Sequence, residues 1–285
     1  MIGIIGGTGL YQIDVLTEIE SRTVETPYGA PSGPVLIGTI SSEGRKSRIA
    51  FLPRHGIHHQ LLPSEINFRA NIWALKSVGV RQILSVSAVG SLTENIRPGD
   101  LALPDQYLDF TKGRRAGSFF GDGLVAHIST AEPSCHALAE RVMQAAHAQD
   151  VSIHRPATYA CVEGPRLGTR AESFLLRNSG CHLVGMTNVP EVFLAREAQL
   201  CYTTIAVVTD YDCWLDDPSQ HATVDKVIEL YKANLNRVQA VLRAVLSSST
   251  DFASCTCAQA LNGAVMTSEE SLSDEKRRII AFLRS

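Results

Sequence analysis

The chain has 285 residues, of which 45% are hydrophobic and 19% are charged, the balance of an ordinary globular protein. Its formal net charge of −3, without a basic stripe, argues against a nucleic-acid partner. The apolar runs are shorter than the roughly 20 residues that a membrane-spanning helix needs. The opening segment MIGIIGGTGLY lacks the charged region and the cleavage site of a signal peptide. We therefore expect a cytoplasmic protein that binds neither nucleic acid nor membrane.

Short apolar runs, many of them β-branched, recur along the chain. They predict strands at residues 2–6, 34–40, 48–52, 82–86, 101–104, 158–162, 182–185 and 201–208. Near-continuous apolar character over so few residues is typical of strands that are covered on both faces.

The helix predictions rest on caps, on proline and on apolar spacing. The predicted helices begin, in chain order, at Ser64, at Pro133, at Thr169 with Glu172 in a capping box, just before Pro190, which suits a first turn, and at Val224. Strands that alternate with helices favour an α/β fold with a parallel or mixed sheet. Because the polar segment near residues 247–254 is the only break, we predict one domain over residues 1–246. Residues 247–285 form a tail that packs on the same domain or on a neighbouring subunit.

Polar or glycine-bearing loops follow directly after five of the predicted strands. They carry, in chain order, Gly7 to Gly9, Arg54 and His55, Ser87 and Ala88, Met186 and Thr187, and Asp210 and Asp212. In open α/β sheets, ligands bind beyond the carboxyl ends of the strands. If these strands are parallel neighbours, the five loops share one pocket.

These loops combine donors for an oxyanion with two carboxyl groups. The glycines around Thr8 let backbone N–H groups approach an anion closely, and Arg54 offers a planar fork of donors. His55, Ser87 and Thr187 are further candidate donors. Asp210 and Asp212 form an acidic end, where a buried carboxyl group can transfer a proton.

Each motif also has a simpler interpretation. The turn after the first strand suggests a dinucleotide fold, but the third glycine of that fingerprint is missing after Gly9. Arg54 and His55 alone would suit a surface pair, and Asp210 alone a helix cap. His58 and His59 raise the possibility of a metal site, but no HExxH motif or suitably placed carboxylate accompanies them. The combination of the loops favours a ligand pocket.

Seven scattered cysteines, an odd number, are typical of reduced thiols. Cys255 and Cys257 form a CxC pair, and a zinc half-site there would need two more ligands, none of which is nearby in the sequence. We expect two ordinary tail cysteines, with a redox-sensitive pair as the alternative, and no metal.

Several long segments are similar to the trimeric purine nucleoside phosphorylase family. They are GIIGGTGL, PRHGIHHQLLPSEINFRANIWALKSVGV, SAVGSL, RPGDLALPDQYLDFT, EGPRLGTRAES, GMTNVPEVFLAREAQLCY and VTDYDCW. The resemblance covers nearly all of residues 1–246. It implies an α/β fold with a twisted mixed sheet that is partly closed into a barrel and surrounded by helices. It also implies a homotrimer that cleaves purine nucleosides with inorganic phosphate and needs no metal or organic cofactor.

The resemblance also implies roles for individual residues. The implied phosphate site consists of Thr8, Arg54, His55, Ser87, the Ala88 backbone and Thr187. Met186 would lie against the ribose, Asp210 and Asp212 would face the purine, and His127 would reach into the pocket of a neighbouring subunit.

Two regions bear on the choice of substrate. Family members that act on 6-oxopurines carry asparagine at the position of Asp210 and glutamate at that of Gly168, whereas a carboxylate suits the amino group of adenine. At the 5′ end of the sugar, family members that bind a hydroxyl use a histidine, whereas this chain has Val224, with Val227 and Ile228 a turn later. This apolar wall suits a methylthio group. The expected reaction is phosphorolysis of 5′-methylthioadenosine.

The sequence departs from the family pattern at a few positions. Leu167 stands where adenine-type enzymes often have phenylalanine, Gly168 and Gly185 replace polar residues, and His221 can reach the 5′ pocket. The alternatives are a phosphorylase for 6-oxopurine nucleosides or methylthioinosine, a nucleoside hydrolase and a non-catalytic nucleoside-binding module.

Overall fold

A computed structural model describes residues 1–7, 16–42, 45–247 and 255–285. The strands are β1 (Ile2–Gly6), β2 (Leu16–Arg22), β3 (Val35–Ser42), β4 (Arg45–Pro53), β5 (Gln82–Ser91), β6 (Leu101–Ala102), β7 (Gln106–Phe110), β8 (Ile153–His154), β9 (Thr158–Val162), β10 (Leu183–Gly185) and β11 (Cys201–Asp210). The helices are α1 (Phe68–Ser77), α2 (His136–Ala148), α3 (Arg170–Asn178), α4 (Asn188–Glu197), α5 (Val224–Ser247) and α6 (Asp274–Arg284).

Every predicted strand is present, whereas β2, β7 and β8 have no counterpart in the prediction. β7 is mostly exposed and β2 carries charged side chains, so neither has the apolar run of a buried strand. β8 has only two residues, too few for a periodic pattern.

Every predicted helix is present, but two of them begin later than predicted. Thr169 and Glu172 form both halves of the predicted capping box. However, α1 begins four residues after Ser64, because the Asn67 side chain accepts the N–H of Ala70 at 3.2 Å. α2 begins only after Cys135, whose backbone N–H is held by the Tyr202 carbonyl at 2.7 Å.

One mixed sheet organises the chain, with β5 at its centre. β5 lies parallel to β1 and β11, and β1 is also parallel to β4. Beyond β4, the antiparallel strands β3 and β2 form one edge. On the other side β10 pairs antiparallel with the end of β5, followed by β9 and β7. Among the described strands, β2 and β7 end this path without pairing with each other, so the sheet is not a closed barrel.

Helices cover both faces of the sheet, which explains why β5 and β11 are buried along their length. The α2 and α5 side chains pack in one apolar cluster with residues of β1, β5 and β11. Helices α1 and α4 form the other cluster, to which the tail adds Leu261, Leu272 and Leu283. Phe282 of α6 stacks on Trp73 with ring centroids 3.8 Å apart. None of the helices in the described ranges is long and apolar enough to span a bilayer.

Two buried carboxylates anchor α4. Glu191, in its first turn, accepts hydrogen bonds from Arg54 Nε at 2.8 Å and Nη2 at 2.9 Å, and from Ser85 Oγ at 2.8 Å. Glu197, its last residue, accepts from Ser118 Oγ and from the Phe119 N–H, both at 2.7 Å. The helix is therefore fixed to the sheet at one end and to the loop before α2 at the other.

Replacing Glu191 with alanine is expected to lower the free energy of unfolding by about 3–5 kcal/mol, because Arg54 is left charged in the interior. Chemical denaturation measures this loss. Asp216→Ala is the control, since it breaks the pair with Arg170 at a fully exposed carboxylate and water solvates the remaining arginine. Equal small losses in both variants would show that the buried pair does not stabilise the fold.

The second anchor predicts a pH dependence. Burial raises the pKa of Glu197 from 4.5 to about 7, so between these values the folded state holds a proton that the unfolded state has released. The free energy of unfolding therefore falls as pH rises through this window, by about 3 kcal/mol at most. In Glu197→Gln this part of the pH dependence disappears. Denaturation of both proteins at pH 5 and pH 8 tests this, and parallel losses in the two would contradict it.

Candidate active site

The parallel strands bring most of the predicted loops to one edge of the sheet. The Arg54 N–H donates to the Gly6 carbonyl at 3.0 Å, so the loops after β1 and β4 are adjacent. On the next strands, the register pairs Ala88 with Val207 and Gly90 with Asp210. The predicted Thr8 lies outside the described residues.

The loop after β10 reaches the same edge although β10 does not run parallel to β5. The prediction that the five loops share one pocket assumed parallel strands. However, β10 is antiparallel to β5, with Val184 opposite Gly90. The chain after β10 therefore returns along the end of β5 toward Ser87. Ser87 Oγ donates to Asn188 Oδ1 at 3.1 Å, which places the buried Thr187 beside it in the chain.

The structure gives Arg54 a partner that the sequence did not reveal. Besides the pair with Glu191, its Nη1 donates to the Val86 carbonyl at 2.9 Å and its Nη2 to Ser85 Oγ at 2.6 Å. Burial opposes the charge, but Glu191 outweighs it and raises the pKa of Arg54. Four N–H groups are engaged in these bonds, so among the described residues one N–H of Nη1 has no partner and suits an anion.

His55 is held as a neutral ring. Burial lowers its pKa from 6.5 to about 4, and the neighbouring Arg54 charge acts in the same direction. Nδ1 donates to the Leu61 carbonyl at 2.9 Å, because a carbonyl oxygen can only accept. Nε2 is therefore the acceptor of the neutral ring, and it suits an anion that carries its own O–H group.

The acidic end is buried and closely packed. Asp210 accepts hydrogen bonds from Thr209 Oγ1 and from the Asp212 N–H, both at 2.7 Å. Burial raises the pKa of Asp210, and the Asp212 charge adds to this effect. Burial also raises the pKa of Asp212. Because Asp210 ends β11, the helix-cap alternative is wrong.

Gly90 is required beside this carboxyl group. A Cβ at this position would lie 2.8 Å from Asp210 Oδ1, closer than van der Waals contact allows. Because Gly90 has no side chain, the Asp210 carboxyl group fits against β5. No pattern in the sequence indicated this role.

The predicted ribose and 5′ residues are less buried than the two aspartates. Met186 is half-buried, Gly168 lies near the Asp212 carboxylate, and the Asp212 carbonyl accepts the N–H of Ala222 just before α5. At the start of α5, Val224 is 62% and Ile228 is 46% exposed.

The other predicted substrate residues are half-buried or exposed in the single chain. Val227 is half-buried, and Leu167 is 40% exposed. His221 is turned to the Leu215 carbonyl, with Nε2 2.8 Å from the oxygen. His127 lies elsewhere, exposed in a groove lined by the tail.

Three residues that support the site escaped the sequence analysis. Glu191 orients Arg54, and Arg115 donates to the carbonyls of Met186 at 2.8 Å and Val189 at 2.6 Å, which fixes the loop after β10. Tyr159 places its hydroxyl where a Cβ of Gly185 would be, 2.1 Å away, so the glycine makes room for the tyrosine. Of these three residues, only Glu191 could have been noticed in the sequence, because it is a charged residue within the apolar run NVPEVFLA.

Comparisons with known proteins identify the family of the chain. Residues 1–247 match the phosphorylase superfamily. S-methyl-5′-thioadenosine phosphorylase of Geobacter sulfurreducens is 44% identical over 277 residues, 97% of this chain and 95% of the relative. The enzyme of that name from Nitrosopumilus maritimus is 47% identical over 263 residues, 92% of this chain and 97% of the relative.

Solved structures give the same result. A methylthioadenosine phosphorylase from an antarctic soil metagenomic library superposes with a TM-score of 0.89 at 44% identity, covering 99% of this chain and 98% of that one. The Schistosoma mansoni methylthioadenosine phosphorylase in complex with adenine superposes with a TM-score of 0.86 at 34% identity, covering 93% and 98%. On this evidence, the chain belongs to the phosphorylase superfamily.

Proposed function

We propose that this protein is a pentosyltransferase that cleaves 5′-methylthioadenosine with inorganic phosphate, giving adenine and 5-methylthioribose 1-phosphate. The reaction serves purine and methionine salvage. The observation that carries this proposal is the buried Asp210 carboxyl group, with its raised pKa, at the same sheet edge as Ser87 and Thr187. The names of the relatives support the choice of substrate.

The anion end of the pocket suits hydrogen phosphate. We assign phosphate binding to Thr8, Arg54, His55, Ser87, Thr187 and the Ala88 backbone. Neutral His55 accepts the phosphate O–H at Nε2, while the hydroxyl and guanidinium groups donate to the other oxygens. Phosphate is a co-substrate, and the reaction needs no cofactor.

The acidic end suits adenine. As the glycosidic bond lengthens, negative charge develops on the purine, and a protonated Asp210 donates to N7 and stabilises the leaving base. The phosphate dianion stabilises the positive ribose and then attacks C1′. Because the carboxyl group is desolvated by burial, it holds its proton at a higher pH than an exposed aspartate.

The open side of the pocket suits a second subunit. Val224, Val227, Ile228 and Leu167 would form the wall around the methylthio group, and Met186 would lie against the ribose. We infer a homotrimer in which His127 of one subunit completes the pocket of the next. The solvent exposure of this wall in the single chain supports that inference.

Adenine release from 5′-methylthioadenosine is expected to depend on phosphate, with inosine and methylthioinosine inert. The assay is run with and without phosphate, beside adenosine. A hydrolase would release base without phosphate, and a binding module would release none. Faster cleavage of inosine or methylthioinosine would leave the phosphate site in place but overturn the assignment of Asp210 to adenine.

Asp210→Asn is expected to lower kcat for 5′-methylthioadenosine by roughly 10²- to 10⁴-fold, since the amide is a poor proton donor. It is also expected to relax the base preference toward 6-oxopurines, because the amide donates to O6. Asp216→Asn, at an exposed aspartate, is the matched control. Unchanged kinetics in Asp210→Asn would remove this residue from catalysis.

A further inference from the structure

Four cysteines that are far apart in the sequence meet in the fold. Cys135 precedes α2, Cys201 opens β11, and Cys255 and Cys257 belong to the tail. Their Sγ atoms all lie within 4.8 Å of one another. We call these four residues the cysteine cluster. It supplies the two further ligands that the sequence analysis could not find near the CxC pair.

The spacing within the cluster fits a shared ion better than a disulfide. Sγ of Cys135 lies 3.7 Å from Sγ of Cys255. Four thiolates at about 2.3 Å from a tetrahedral zinc ion are separated by about 3.8 Å, whereas a disulfide bond is about 2.05 Å long. The contact between Cys135 and Cys255 joins the body to the tail, whereas a contact within the CxC pair would lie in the tail alone.

Two neighbouring groups would stabilise the negative charge that the sulfur atoms carry once a metal is bound. Cys135, Cys201 and Cys257 are buried, so water cannot solvate their charge. Instead, Arg196 Nη1 donates to Cys257 Sγ at 3.1 Å. Cys135 stands at the N-terminus of α2, where the helix dipole stabilises negative charge. Metal-bound thiolates commonly accept such hydrogen bonds from neighbouring groups.

We propose that the cysteine cluster binds a structural divalent ion of the zinc type as a tetrathiolate site. Four protein ligands close the coordination sphere, so the ion has no open position for catalysis. On binding, the ligating thiols release their protons to solvent, and no electron transfer is involved.

The ion would fasten the tail to the body of the enzyme. Beyond the CxC pair, the Ala264 carbonyl accepts the His127 N–H at 2.9 Å and the Met266 N–H donates to the Val125 carbonyl at 2.8 Å. The tail therefore holds the segment that carries His127. If the proposed trimer is correct, the metal site also supports the pocket of the neighbouring subunit, but metal binding itself does not depend on that assignment.

Metal analysis of the full-length enzyme, purified with zinc and without chelator, tests the proposal. We expect about one zinc ion per chain, as for a four-ligand site. Cys135→Ser and Cys257→Ser are each expected to lose it. Cys181→Ser is the matched control, since Cys181 is buried but outside the cluster, and it should keep the metal. Absence of zinc from the wild-type protein, or equal loss in the control, would overturn the proposal.

Two further measurements do not require the variants to fold. Replacing zinc with Co²⁺ should give the intense visible bands of a tetrahedral cobalt–thiolate centre, whereas octahedral or absent bands would contradict the site. After chelation in denaturant without reductant, all seven cysteines of the chain should react as thiols. If the four clustered cysteines formed two disulfides, only three (7 − 4) would react, and the metal site would be excluded. Both results are independent of the substrate of the enzyme.

Discussion

The site depends on one buried ion pair, between Arg54 and Glu191. Arg54 follows β4, Glu191 lies in α4, and both contact Ser85 on β5, so a single cluster of charges connects three elements. Each charge would be unstable in the interior without the other. The same pair fixes the guanidinium orientation and the helix that follows the loop with Thr187. The proposed anion binding and the packing of α4 would therefore change together at this position.

From this pair, the polarity of the pocket changes along the ends of β5 and β11. The cation and the hydroxyl donors lie at one end, and the two carboxyl groups of Asp210 and Asp212 lie at the other. In the proposed reaction, phosphate would lie at the first end and the leaving purine at the second, so the charge that develops would match this arrangement. Because the donors and the carboxyl groups are fixed before substrate binds, little reorganisation is needed in the transition state.

The sequence predicted those features that depend on local patterns. The strands β5 and β11, the capping box at Thr169 and the long helix α5 follow from apolar spacing and side-chain chemistry alone. The direction of β10, the pairing of Glu191 with Arg54 and the meeting of the four cysteines depend on which distant segments become neighbours. Residue spacing carries no information about such contacts, so the sequence predicted the candidate phosphate loops but not the residues that support them.

The start of α5 leaves apolar side chains uncovered in the single chain. Along the rest of this helix, apolar residues such as Val238 and Leu242 are fully buried, but Val224 and Ile228 remain largely exposed. Each square ångström of apolar surface left in water costs about 25 cal/mol, so covering these side chains stabilises whichever partner covers them. A methylthio group and a neighbouring subunit would both benefit from this apolar surface. If the proposed trimer and the proposed 5′ site are both correct, substrate and neighbouring subunit would share the burial of this surface.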